Sequence, residues 1–408
     1  MTIDLITIGS ELLSGVTLNT NAAFIGDQLA RAGLRLARQI SIPDDLETIV
    51  ATVRESLAHA EWVIVSGGLG PTHDDVTKNA ISRVFDRPLV LRDEILVELR
   101  ERLARVGRPL TPLIEAQALL PRDVETLPNP VGTAVGILLT TGTSTLVAVP
   151  GVPREMRPMV ADYIVPRIAA QAKSTAASFV WSTTGWPESR LYETLEAAIK
   201  KHADLEVAFL PSELGVRLRV TAVGLDASLR LASFADEIRP LIGPAIYAEE
   251  DIGLEDVLAR LLRERGLTLA LAESCTGGLA AKRMTDIPGS SAYMLAAFVT
   301  YANRAKIDLL GVDAGLIDAH GAVSEPVARA MAEGARARTG AACALSITGI
   351  AGPDGGTAEK PVGLVWIALS MRGATTTAEE FRFLGNREMI RARAAQAALN
   401  MLRLRLIV

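Results

Sequence analysis

Apolar residues in the first 170 positions alternate between two rhythms. Continuous apolar runs at 3–8, 62–65 and 144–149 have the length of buried strands, whereas 22–32 and 48–58 repeat their apolar residues at helical spacing. Strand and helix taking turns predicts an α/β domain with a mainly parallel sheet. Residues 169–178 are polar and small, and predict a linker. Beyond them 179–184, a helical 188–202, then 207–210 and 216–223 give the order β-α-β-β before a helix near 228–242, a small α+β unit. A second alternation starts at Leu254, with strands expected at 267–271, 292–300, 342–347 and 362–369 and an Ala-rich helix over 387–404. No internal repeat is evident, so the two α/β blocks are not duplicates. The boundaries this predicts are 1–170, 171–250 and 251–408.

Composition agrees with several cores. A chain of 408 residues is too long for one, and 49% hydrophobic against 22% charged residues supplies ample material to bury. The net charge of −5 argues against a broad nucleic-acid footprint and suits a small ligand better. Cys275 and Cys343 lie far apart without metal-ligand spacing, so neither a disulfide framework nor a zinc site is indicated. No basic segment precedes the first apolar run, and no stretch of about 18 apolar residues exists to span a bilayer, so a cytoplasmic protein away from membranes is expected.

Two places concentrate chemistry. Ala272-Glu273-Ser274-Cys275-Thr276-Gly277-Gly278 follows an apolar strand and leads into helix-forming sequence, an arrangement that sets a side-chain nucleophile beside free backbone N–H groups able to stabilise an oxyanion. Taken alone, Ser274 or Thr276 would simply cap the helix. Cys275 is a rival nucleophile, since a helix N-terminus lowers a thiol pKa, but His320 is the one histidine available to it in this half. Thr348, Gly349 and Gly352 follow the strand ending near Ile347 and can turn N–H groups toward an anion. Arg387 opens the last helix where a guanidinium can fork a phosphate, with Arg391 one turn on; a solvated helix face is the plain alternative for both. In the first domain, Gly67, Gly68 and Gly70 follow a buried strand and let the backbone approach a phosphate, while Asp74 and Asp75 place two hard oxygen ligands beside it, suited to a divalent cation. Helix capping is the competing account of the aspartates.

Four blocks carry a resemblance. Ser66-Gly67-Gly68-Leu69-Gly70-Pro71-Thr72-His73-Asp74-Asp75-Val76-Thr77, Pro288-Gly289-Ser290-Ser291, Tyr301-Ala302-Asn303-Arg304-Ala305-Lys306 and Thr348-Gly349-Ile350-Ala351-Gly352-Pro353, in that order, resemble the CinA family over nearly the whole chain. The resemblance implies an N-terminal molybdopterin-binding-like three-layer domain, a small KH-type middle domain and a C-terminal α/β amidase domain. It implies an amidase without cofactor that converts nicotinamide mononucleotide to nicotinate mononucleotide and ammonia. Ser274 would be the nucleophile and Lys306 its base, acting as a neutral amine because desolvation lowers a lysine pKa. Tyr301 would pass a proton or orient that base, and Ser291 would be a second hydroxyl beside the dyad.

For the N-terminal domain the resemblance implies a pyrophosphatase acting on ADP-ribose with a divalent metal, its pocket lined by Glu11, Asn21, Asp44, Thr72, Gly151 and Glu155. The middle domain lacks a Gly-x-x-Gly loop, so no direct nucleic-acid contact is expected there and a spacer or dimerisation role is favoured; a homodimer is expected. Two departures stand out: Ala296-Ala297 occupies a place where many relatives carry two glycines, and Val152 replaces a proline of the Pro150-Gly151-Val152-Pro153 turn. A nucleotide-binding regulator linked to competence or DNA damage, and a molybdopterin-handling enzyme, are the rival readings.

Overall fold

The computed structural model describes residues 1–172 and 176–407, and the chain divides into two compact units, 1–178 with 221–231 and 179–220 with 232–408. The first unit is built on a six-stranded sheet in the order Arg38–Ile42, Ile3–Ile8, Trp62–Ser66, Ser144–Val149, Gly136–Thr141, Glu125–Leu127. Its first four strands are parallel and its last two antiparallel. Alternation along the strands covers both faces. Ile6, Val63, Val65 and Ala148 pack on one side with Ile49, Val53 and Ile81, while Leu5, Ile64 and Val147 pack on the other with Ile25, Leu29 and Met156. Helices on both sides of one sheet make the three layers that the α/β rhythm predicts.

The expected linker at 169–178 is much shorter. Residues 169–172 finish the helix Val165–Ala172, where buried Ile168 anchors the apolar face, and 177–178 start the strand Ala177–Thr183; positions 173–175 lie outside the described residues. Small residues there hid an amphipathic helix end. The middle strands then order as Glu206–Ser212, Gly215–Ala222, Ala177–Thr183, Ile246–Ala248, with Glu188–Lys201 and Ala227–Ile242 as the helices.

The C-terminal sheet runs Met294–Val299, Leu269–Glu273, Cys343–Gly349, Leu364–Met371, Thr377–Arg382, three parallel strands followed by two antiparallel ones. Leu269, Leu271, Cys343 and Leu345 face the helices Leu254–Glu264, Leu279–Asp286 and Arg387–Leu406, whereas Ala270, Ala272 and Ala344 face Glu325–Thr339. Those alanines leave room for the helix to lie close to the sheet. The closing helix Arg387–Leu406 is buried on more than one side, and its polar Gln396 and Arg403 bond to the middle strands: Gln396 donates to Thr184 Oγ1 (3.1 Å), and Arg403 to the carbonyls of Pro244 and Ile246 (both 3.0 Å). Ala296 and Ala297 sit in mid-strand opposite Ala270 and Leu271, so the two alanines that replace glycines lie away from the loops at the strand ends. Among the described residues no helix is long and apolar enough to cross a membrane.

Candidate active site

The strand Leu269–Glu273, the middle one of the three parallel strands, ends two residues later than its apolar run, at the fully buried Glu273, and Ser274 is the next residue. Parallel pairing aligns Glu273 with Ile347 and with Val299, so the loops after three strands meet at one edge of the sheet. Ser274, Cys275, Tyr301, Asn303, Lys306, Thr348, Gly349 and Arg387 line one cavity there, together with Ala322 and Val323. Lys306 is 1% exposed, on the buried face of the helix Asn303–Leu310. Its Nζ lies 3.1 Å from Ser274 Oγ and donates to the carbonyls of Thr300 (2.8 Å) and Tyr301 (3.4 Å). Among the described residues no carboxylate pairs with it, and burial holds its pKa below the ordinary 10.5, slightly opposed by the neighbouring Cys275. Two N–H bonds to carbonyls leave a neutral amine's lone pair for the Ser274 hydroxyl proton.

Cys275 is 6% exposed and its thiol is pushed up to about 12, first by burial and further by the Glu273 carboxylate. His320 is exposed and does not line the cavity. A buried thiol that stays protonated at neutral pH is a poor nucleophile. This geometry favours Ser274.

Several expected roles change. The N–H groups at the helix start are not free: Gly277 donates to Ser274 O, Leu279 to Thr276 O, and Gly278, Ala280 and Ala281 to the Glu273 carboxylate. Tyr301 reaches the base through its backbone carbonyl, while its 61% exposed side chain holds its phenol against Arg387 Nη2 (2.9 Å). Arg387 Nη1 donates to Gly352 O (2.7 Å), so its fork already clamps Tyr301 to the Gly352 loop. Arg391 does not line the cavity; it donates to Thr276 O (2.7 Å) and braces the nucleophile loop. Thr348 donates its hydroxyl to Ala322 O (2.8 Å), which pins the neighbouring wall.

Ser291 is not beside the dyad. It is exposed in the turn Ser290–Ala292 that precedes the strand Met294–Val299, and Met294 pairs with Leu269 at the opposite end of the sheet from Ser274. Strand direction separates the two hydroxyls by the length of the sheet.

In the first unit, Glu11, Asn21 and Gly151 line a cavity with Thr7 and Ser66. Asn21 Nδ2 donates to Ser66 Oγ (3.0 Å) and Gly151 O (2.8 Å), and its buried Oδ1 has no protein partner. Asp44 accepts the Ser10 N–H (2.8 Å) and fixes the turn carrying Glu11. Gly67 has φ 119°, and a Cβ there would strike Ile8 O; Gly68, at φ 67°, lies against Thr77 Oγ1. Thr72 donates both N–H and hydroxyl to Asp75, whose carboxylate also lies against Gly70. Glu155 accepts from Asn129 Nδ2 (2.6 Å) and does not line the Asn21 cavity. Among the described residues no group of three or more His, Cys, Asp or Glu side chains converges as a metal site. With Asp75 committed to Thr72 and Asp74 59% exposed, the two carboxylates fit only a cation whose shell substrate oxygens and water complete.

Missed in the sequence were Glu273, Asn303, Ala322 and Val323. Asn303 lay inside the Tyr301–Lys306 block and Glu273 directly before Ser274, so both had a positional signal; the other two come from the loop after the helix Ala314–His320, with none.

A three-part architecture of this order has counterparts. Residues 4–170 match the probable molybdopterin binding domain family, 179–248 the damage-inducible protein CinA KH domain family and 251–406 the CinA C-terminal domain family. A CinA-like protein of Gemmatimonas aurantiaca is 45% identical over 414 residues, 99% of this chain and 96% of its own, and one of Citrifermentans bemidjiense is 43% identical over 403 residues, 99% and 97%. The solved competence/damage inducible protein CihA of Agrobacterium tumefaciens is 44% identical, with 38% of this chain and 98% of that one covered and a TM-score of 0.37. The chain belongs to the CinA family.

Proposed function

We propose that the C-terminal domain is a serine amidase that deamidates nicotinamide mononucleotide. The observation that carries this is a buried lysine with no carboxylate partner among the described residues, 3.1 Å from the hydroxyl of the serine that follows the strand Leu269–Glu273. Ser274 Oγ attacks the amide carbon as Lys306 takes its proton; Lys306 then returns that proton to the departing nitrogen, releasing ammonia. Water, deprotonated by the same amine, hydrolyses the acyl-serine to nicotinate mononucleotide. No cofactor enters these steps. The exposed Tyr301 ring offers a face to a pyridinium, and Arg387 is the cation at the cavity mouth for a phosphate, which would compete with the tyrosine hydroxyl for it.

For the N-terminal domain the reading is a nucleotide site that cleaves ADP-ribose. Its support is the unpartnered Asn21 Oδ1 beside the cavity that Glu11, Thr7 and Ser66 help to line. Asp74 and Asp75 would hold a divalent cation, which would draw charge from the diphosphate oxygens. The protein is read as a cytoplasmic homodimer without nucleic-acid partners.

Ammonia release from nicotinamide mononucleotide by the purified chain tests the first half. Ser274→Ala and Lys306→Ala should each lose roughly 10³-fold or more in kcat with nucleotide binding retained; turnover in Ser274→Ala and its loss in Cys275→Ala would reverse the assignment. Asp75→Asn should impair ADP-ribose cleavage and spare ammonia release, measured on one preparation with and without chelator. Chelator-insensitive cleavage would remove the metal.

A further inference from the structure

A carboxylate at the end of an apolar strand is costly to bury unless its oxygens are bonded. Glu273 is 0% exposed and none of its bonds goes to a cation: Oε2 accepts the N–H groups of Gly278 (3.0 Å) and Ala280 (3.2 Å), and Oε1 that of Ala281 (2.8 Å). The chain thus folds back on itself across the five-residue loop that starts with Ser274. Gly277 (φ 59°) and Gly278 (φ 90°) supply the left-handed conformations that this return requires.

The backbone of the same residue reaches the other half of the dyad. Glu273 O accepts the Thr300 N–H (2.8 Å), and Thr300 O accepts Lys306 Nζ (2.8 Å). Ser274 is held from its own side, its N–H donating to Ile347 O (2.9 Å). Glu273 is therefore the one residue whose carboxylate fixes the nucleophile loop and whose carbonyl fixes the register of the base.

We propose that Glu273 is the positioning residue of the Ser274–Lys306 dyad, its carboxylate holding the nucleophile loop closed so that Ser274 Oγ stays within reach of Lys306 Nζ. This rests on the dyad proposed above. In Glu273→Gln the amide oxygen can keep two of the three N–H donors, but the NH₂ group confronts the third with another donor and the loop opens. The side chain touches no substrate, so kcat falls and KM does not.

The test is the rate at which a fluorophosphonate labels Ser274 in the full-length protein, with the site located by peptide mass and the fold checked by circular dichroism. Labelling reads the dyad without any assumption about substrate. In Glu273→Gln it should slow about tenfold or more, with the kcat for nicotinamide mononucleotide falling in proportion and KM within twofold of wild type. Labelling within twofold of wild type in a folded Glu273→Gln, or a rise in KM in place of the loss in kcat, overturns the proposal. Should Glu273→Gln not fold, Ala281→Pro removes only the 2.8 Å donor in the first helical turn, where proline is tolerated; slower labelling supports the proposal and unchanged labelling overturns it. Absence of labelling at Ser274 in the wild type overturns dyad and proposal together, whereas labelling without ammonia release removes only the substrate.

Discussion

Lys306 sets stability against the proposed activity at a single position. Burial depresses its pKa below 10.5, so between the depressed value and 10.5 the unfolded chain binds a proton that the folded chain does not. Stability therefore rises with pH across that window, and under the proposed mechanism activity, which there needs the free amine, falls as pH drops through the depressed value. Lys306→Met, similar in length and uncharged, should be inactive yet melt higher than wild type at pH 7, by about 1 kcal/mol or more, with a flatter dependence of Tm on pH. Calorimetry across pH 6–9, roughly the span below the ordinary lysine value, checks it; an unchanged or lower Tm would mean that the lysine is buried as a stabilised cation. Lys306→Arg should not restore turnover, because a guanidinium stays protonated.

Some of this was legible residue by residue. Ser274 and Lys306 stand out only because whole blocks of sequence surround them; periodicity would have left Lys306 on a helix surface. Ser291 misled for the opposite reason. Its block is adjacent to the dyad in sequence, but which end of a strand a turn occupies depends on sheet direction, and no local pattern encodes that.

At the scale of elements, long apolar runs gave Ile3–Ile8, Trp62–Ser66, Ser144–Val149 and even the edge strand Met294–Val299, while the edge strands Arg38–Ile42 and Thr377–Arg382 escaped. Thr377–Arg382 reads Thr-Ala-Glu-Glu-Phe-Arg and is mostly exposed, so it carries no apolar signal. The strand before Ser274 looked finished at Leu271 because Glu273 is acidic, although the N–H groups that pay for its burial come from residues five to eight positions later.

The turn that begins the helix Pro153–Pro158 shows the converse. Val152 holds φ −69°, close to the value a proline ring enforces, and is 48% exposed, so the geometry survives without the ring. Val152→Pro should raise stability by about 0.4–1 kcal/mol by restricting the unfolded chain. Denaturant unfolding measures it; a lower midpoint with the same m value would show that this turn needs valine.

Across the second unit, the closing helix belongs to two domains at once. Gln396 and Arg403 are 3% exposed, and burial lowers the Arg403 pKa while its guanidinium bonds the carbonyls of Pro244 and Ile246. A fragment from residue 251 would leave those groups without their partners, at about 1–3 kcal/mol for each group that stays unsatisfied. The expected order of Tm is therefore a fragment from 179 above a fragment from 251, with the difference shrinking in Gln396→Leu; equal melting temperatures would show that the middle strands add nothing to the C-terminal fold. Domain order and the α/β rhythm were readable in advance. This shared helix was not, since its polar contacts join residues more than 150 positions apart.

The two cysteines have a consequence beyond the choice of nucleophile. Cys275 and Cys343 are both buried, and burial pushes both thiols up to about 12. Peroxide and alkylating electrophiles react with the thiolate, a form these side chains barely populate at neutral pH. If Ser274 is the attacking residue as proposed, the chain places a chemically silent sulfur next to its reacting oxygen, and oxidative stress should pass over that site without leaving a sulfenic acid.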